Sequence, residues 1–186
     1  MKVNRFFIMA GMMALSVTGC THLIMARQQE AGRWSRGGIS AVLPPDWDKT
    51  AFPRSILCLS RTGEKLQRIV LQRKSSNYKF PRAKRRLSAD MLPQEAAQLV
   101  IDNLSLNRKL GHFNVVRNKP YPVSKDHGFL IEYTYRDEHF VPRRSLLIGV
   151  LNDRYYYEIK YQAVDQFYYQ DGIGEFMTFL KTVNLS

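Results

Sequence analysis

Apolar and polar positions alternate with a period of two through most of residues 128–163, which predicts three consecutive antiparallel strands. In the first, Phe129, Ile131, Tyr133 and Tyr135 share one face, and Glu132, Thr134 and Arg136 share the other. In the third, Tyr155, Tyr157, Ile159 and Tyr161 oppose Tyr156, Glu158, Lys160 and Gln162. The middle run, Leu146-Leu147-Ile148-Gly149-Val150-Leu151, is apolar on both faces. A strand covered on both sides and flanked by a neighbour at either edge has that pattern, so this run marks the centre of a sheet.

The same reading extends to the rest of the chain. Ile39 to Leu43 is a short strand stopped by Pro44-Pro45 and followed by Asp46-Trp47. Ser55 to Ser60 is a second strand, 62–65 a turn, and Leu66 to Arg73 a third strand pairing back on it. Pro93 to Leu110 is a helix: Pro93 suits its first turn, Glu95 its positive end, Arg108 and Lys109 its negative end, and Gly111 closes it. Ala97, Val100, Ile101 and Leu104 give it one apolar stripe, placed to cover the sheet. Phe113 to Arg117 is a further strand, with loops at 118–120 and 124–126. Near the C-terminus, Ile173, Phe176, Met177 and Leu180 repeat the helical spacing, with Asp171 as cap. The expected class is α+β, an antiparallel sheet of about six strands covered by helices in one domain over residues 38–186.

The N-terminus changes the picture. Lys2 and Arg5 precede an apolar run from Phe6 to Val17 and small residues up to Cys20, the layout of an export signal. The run is too short for a membrane span, which needs roughly 20 residues. Val17-Thr18-Gly19-Cys20 resembles the lipobox of bacterial lipoproteins, with Val17 standing where Leu is more usual. That resemblance implies a signal over residues 1–19, lipidation of Cys20 with two or three acyl chains, and a stable membrane anchor. Thr21, rather than Asp, follows the cysteine, which favours the inner leaflet of an outer membrane, facing the periplasm. Residues 21–37 read as an extended tether or a short helix between lipid and fold. With Cys20 used by the anchor, Cys58 has no disulfide partner and reads as a buried small hydrophobe.

Charge supplies the strongest candidate contact. The chain carries a net +12, which in a cytosolic protein would point to nucleic acid, a partner that the export signal argues against. Loss of residues 1–19 removes Lys2 and Arg5 and no acid, leaving +10. Seven cations, Arg73, Lys74, Lys79, Arg82, Lys84, Arg85 and Arg86, fall in one acid-free stretch with Tyr78 and Phe80 interleaved. Such a segment suits anionic lipid head groups or another envelope polyanion; the plain alternative is a solvated loop that opposes aggregation.

Other chemistry is thin. His127 and His139, near Asp126, Asp137 and Glu138, have metal-ligand side chains but lie at opposite ends of a predicted strand, so no metal site is expected. Neither a nucleophile elbow, a zinc-protease helix nor a glycine-rich phosphate loop is present, and no catalytic residue or cofactor is assigned. The tyrosines between Tyr155 and Tyr169 read as sheet packing, with Tyr156, on the polar face, the exception expected to contact a ligand.

The segment Gly38-Ile39, Leu43-Pro44 and Trp47, followed by a hairpin, a covering helix, an aromatic meander and a closing helix, resembles the PsbP-like and DcrB-like group. The resemblance spans about residues 38–186 and rests mainly on element order. It implies an α/β/α sandwich and a binding or accessory role, and maps no functional residue. The expectation is therefore a membrane-anchored, non-catalytic envelope module meeting an anionic partner or an envelope protein. Two rivals remain: a small-ligand carrier with an enclosed apolar pocket between sheet and helix, and an envelope hydrolase with Ser, His and carboxylate groups in contact.

Overall fold

Residues 32–186 are described by the computed structural model. Cys20, the signal and the tether up to residue 31 lie outside the described residues.

The meander expected from the alternating pattern forms the heart of the fold. It comprises β7 (Asp126–Arg136), β8 (Pro142–Leu151) and β9 (Tyr155–Val164). Ahead of it run β1 (Arg33–Arg36), β2 (Ile39–Val42), β3 (Asp48–Lys49), β4 (Leu57–Ser60), β5 (Gln67–Ser75), α1 (Pro93–Ser105) and β6 (Gly111–Val123). After it come α2 (Tyr168–Thr182) and β10 (Asn184–Leu185). Seven strands make one antiparallel sheet in the order β3-β4-β5-β9-β8-β7-β6, and β1-β2-β10 make a small second sheet. β8 lies between β9 and β7 as its two-sided apolar pattern requires, although β9 is the middle strand of the seven.

Alternation along the strands sends side chains to two cores. Leu130, Leu146, Ile148, Tyr157, Ile159 and Tyr161 join Phe176, Phe179 and Leu180 of α2 on one face. Phe129, Ile131, Tyr133, Leu147 and Tyr156 join Ala97 and Val100 of α1 on the other. The result is an α+β sandwich with one helix on each side of the main sheet. Glycine is needed at position 149, because a Cβ there would run into the Phe129 ring, which lies stacked with Tyr156 at 6.4 Å between centroids.

Several boundaries differ from the sequence expectation. α1 stops at Ser105, and Arg108 and Lys109 lie in turns held by Asn107 N–H to Leu104 O (2.9 Å) and Leu110 N–H to Asn107 O (2.8 Å). Gly111 begins β6 by pairing with Arg136 rather than closing the helix. β6 then continues through the expected loop at Asn118–Pro120, because it is an edge strand where Pro120 and Pro122 remove no needed donor. α2 starts three residues before Asp171, and this places the Tyr169 side chain in the core. The last part of the expected tether is strand β1, paired with β2, and Ser186 N–H bonds to Gly38 O at 2.8 Å.

Candidate functional site

The seven candidate cations do not form one surface. Arg73 and Lys74 are the last residues of β5 before Ser75, and adjacent strand residues face opposite sides of a sheet. Arg73 lies on the α2 side, over the Tyr155 ring at 4.3 Å and hydrogen-bonded to Gly37 O. Lys74 lies on the α1 side, its Nζ 2.7 Å from Glu158 Oε2 and 5.1 Å from the Tyr78 ring. Both are half-buried and engaged.

The other five, Lys79, Arg82, Lys84, Arg85 and Arg86, are exposed. Their loop is ordered rather than loose. Phe80 N–H bonds to Arg85 O (2.9 Å), Leu87 N–H to Tyr78 O (3.0 Å), and Arg82 N–H to Asn103 Oδ1 on α1 (3.1 Å). Phe80 and Leu87 are buried beneath α1 and fix the loop to the sheet. Among the described residues, the one carboxylate within 4 Å of these five cations is Asp102, 3.6 Å from Arg85.

Beside this loop the α1 face of the sheet is left open. α1 covers β6, β7 and β8, while β9 and β5 floor a cleft walled by α1 and by the segment around Phe52–Arg54. One lobe, about 340 Å³, is lined by Arg54, Gln72, Lys74, Phe80, Arg82 and Glu158. The second, about 670 Å³, is lined by Phe52, Arg68, Tyr133, Tyr135, Lys160 and Gln162, and Leu104 borders both. The cleft is open with a charged floor, unlike the enclosed apolar cavity that the carrier reading needs.

Glu158 sits at the junction. Burial alone would raise its pKa, but Lys74 and Lys160, the latter 3.7 Å away, outweigh it and hold the carboxyl below its ordinary value. Arg68 donates to Gln162 Oε1 at 3.1 and 3.3 Å and lies 4.5 Å from the Phe52 ring. Gln162 Nε2 in turn donates to Tyr135 Oη. Burial pushes the Tyr135 hydroxyl up to about 12, so it keeps its proton at neutral pH.

A second polar cluster lies across the sheet. Glu132, on the strand face that the sequence pattern marks as polar, is buried against Arg144 (2.7 Å), Arg117 (2.8 Å) and the Tyr169 hydroxyl (3.0 Å). Burial would raise its pKa, but the bonds from Tyr169 and Arg144 and the charges of Arg144 and Arg117 lower it overall.

The remaining candidates are placed as follows. His127 is the second residue of β7, His139 lies in the turn beyond its end, and both are exposed, as is His112. Among the described residues, no three His, Cys, Asp or Glu side chains are grouped to hold a metal ion. Cys58 is buried and accepts a hydrogen bond from the Thr50 hydroxyl at 3.2 Å. Tyr156 is fully buried between Phe80 and Phe129, which corrects its expectation as a ligand contact. Sequence reasoning missed Arg68, Lys160 and Gln162. Their signal was the polar run Glu158, Lys160, Gln162 on one face of a strand with neighbours on both sides.

No family model matches the chain. No curated protein matches it either. Solved structures do share its fold. LpqN of Mycobacterium tuberculosis, described as involved in cell envelope biogenesis, is 12% identical with a TM-score of 0.59, over 80% of this chain and 83% of LpqN. The cyanobacterial PsbP protein CyanoP of Synechocystis is 10% identical with a TM-score of 0.57, over 83% of this chain and 92% of CyanoP. The Ran-binding protein Mog1p of Saccharomyces cerevisiae is 9% identical with a TM-score of 0.50, over 80% and 90%. The likeness shows that the chain shares the fold of these proteins, and none of the three carries an enzymatic name. Among the described residues no helix is long and apolar enough to cross a membrane.

Proposed function

We propose that this chain is a bacterial envelope lipoprotein, anchored through Cys20 to the outer membrane and facing the periplasm, that acts as a non-catalytic binding or accessory module. Its anionic partner is met by the exposed loop cations Lys79, Arg82, Lys84, Arg85 and Arg86, rather than by the whole run from Arg73. The observation that carries this reading is the loop itself: five exposed cations on a backbone pinned by Phe80 and Leu87, opposed within 4 Å by Asp102 alone among the described residues. A fixed charge cluster is organised before its partner arrives, which lowers the ordering cost of binding. The export signal, the lipobox resemblance and the envelope role of LpqN support the location.

The test uses the unlipidated mature chain, residues 21–186, with anionic and neutral vesicles across a salt series. Each cation near an anionic surface contributes roughly 1 kcal/mol, so changing Arg82, Lys84, Arg85 and Arg86 to Gln weakens anionic-vesicle binding by about 10³-fold at low salt. Binding should be absent on neutral vesicles and fade as salt rises. If the native chain ignores anionic vesicles at every salt, lipid head groups are out and the loop is left to a protein or polysaccharide partner.

A further inference from the structure

The floor of the cleft carries more positive charge than its carboxylate neutralises. Lys74, Lys160 and Arg68 are all half-buried there, and Glu158 is the one acid among them, leaving an excess of two charges. The rim does not offset this excess. Arg143 is paired with Asp137 at 2.9 Å, Lys109 with Glu138 at 3.1 Å, and Glu64 is flanked by Lys65. Among the described residues no carboxylate lies within 4 Å of Arg68. Like charges held together away from bulk water raise one another's energy, and an anion placed among them lowers it.

Hydrogen bonding points the same way. Arg68 donates to Gln162, Gln162 donates to Tyr135 Oη, and the Tyr135 proton has no acceptor among the described residues. That chain has a fixed direction and ends in an unused donor on the wall of the larger lobe. The Phe52 ring, Leu104, Leu110 and Tyr133 supply an apolar part of the lobe, and Asn107, His139 and the charged rim residues complete its lining.

We infer that this lobe binds a small organic dianion with a ring-sized apolar body. Arg68 and Lys160 hold its charge, the Tyr135 hydroxyl donates to one of its oxygens, and the body lies against Phe52 and Leu104. A volume of about 670 Å³ falls within the range of small-molecule sites. The five exposed loop cations lie outside this lobe, so the site stands or falls separately from the vesicle contact.

Calorimetric titration of the unlipidated mature chain with phenyl phosphate and with phthalate tests it, beside inorganic phosphate and uncharged benzyl alcohol. The two ring dianions should bind at least about tenfold more tightly than inorganic phosphate, since only they fill the apolar part, and benzyl alcohol should not bind. Arg68→Gln and Lys160→Gln should each weaken binding about tenfold or more, and Tyr135→Phe, which keeps the ring and its packing, about three- to tenfold. Arg86→Gln, on the loop, should change nothing, and thermal unfolding of each variant shows whether the fold is intact. Three results overturn the inference: no binding of either ring dianion, equal affinity for inorganic phosphate, or a loss in Arg86→Gln as large as in Arg68→Gln.

Discussion

Two buried carboxylates lie on opposite faces of the same sheet, and their surroundings differ in charge balance and in cover. Glu132, on the α2 side, is met by Arg117 and Arg144, and Asp165 lies 3.9 Å from Arg144, so two cations face two acids. Glu158, on the α1 side, faces Lys74 and Lys160, with Arg68 further along the same cleft and no second acid within 4 Å of the three among the described residues. α2 and the Tyr169 hydroxyl close over Glu132, whereas α1 is too short and too far across the sheet to close over Glu158. A balanced, covered cluster can be accounted for by folding. An unbalanced cluster at the floor of a cleft leaves charge for something that is not part of the chain.

Substitution of Glu132 by Gln should have the largest effect on stability. Removing one member of a buried ionic cluster leaves the other uncompensated, a loss of about 2–4 kcal/mol once the partial exposure of Arg117 is allowed for. Denaturant unfolding measures it, and a loss below about 0.5 kcal/mol would mean that Glu132 is no more structural than a surface acid.

Glu158→Gln should cost less, about 1 kcal/mol, because Gln still accepts from Lys74 and the open cleft lets water reach the released charges. The same change raises the excess charge of the cleft from two to three. Dianion affinity should therefore rise as stability falls, and a fall in both would erase the contrast between the two clusters.

Acid sharpens the comparison. Both carboxyls have folded-state pKa values below the ordinary 4.5, so each contributes stability that is complete above pH 4.5 and is lost as pH falls through the lower folded value. Melting temperature should drop through that window in the native chain, and Glu132→Gln and Glu158→Gln should each flatten the drop. A drop unchanged in either variant would remove that acid from the account.

Arg86→Gln stands at the bottom of the scale. It is exposed, and its guanidinium bonds only to Asn77 O at 3.3 Å among the described residues, so its effect on stability should stay within about 0.5 kcal/mol. A larger loss would show that the basic loop is held by its charges rather than by Phe80 and Leu87.

Much of the fold was legible in the chain. The meander, the order of sheet and helices, and the apolar stripes of both helices follow from periodicity, because burial on one face imposes a period of two or 3.6 on the residues themselves. Helix ends were less legible: Arg108 and Lys109 fit a helix C-terminus locally, yet pairing of Gly111 with Arg136 gives those residues to a turn and a strand. The site was legible in composition and not in arrangement. The cation-rich stretch stood out, but a strand end and a loop with buried anchors look alike when every position is polar or aromatic.

The sequence by itself determined the central strands, the two helices, the apolar faces that form their cores and the excess of positive charge, since each of these is written in local residue order and composition. Tertiary structure alone decided that Arg73 and Lys74 part to opposite faces, that Lys74 meets an acid 84 positions away, and that Arg68, Lys160 and Tyr135 line one cleft. The reason is register. The alignment of β5 on β9 and the reach of α1 across the sheet set which distant polar groups are buried together, and no short stretch of chain contains that information.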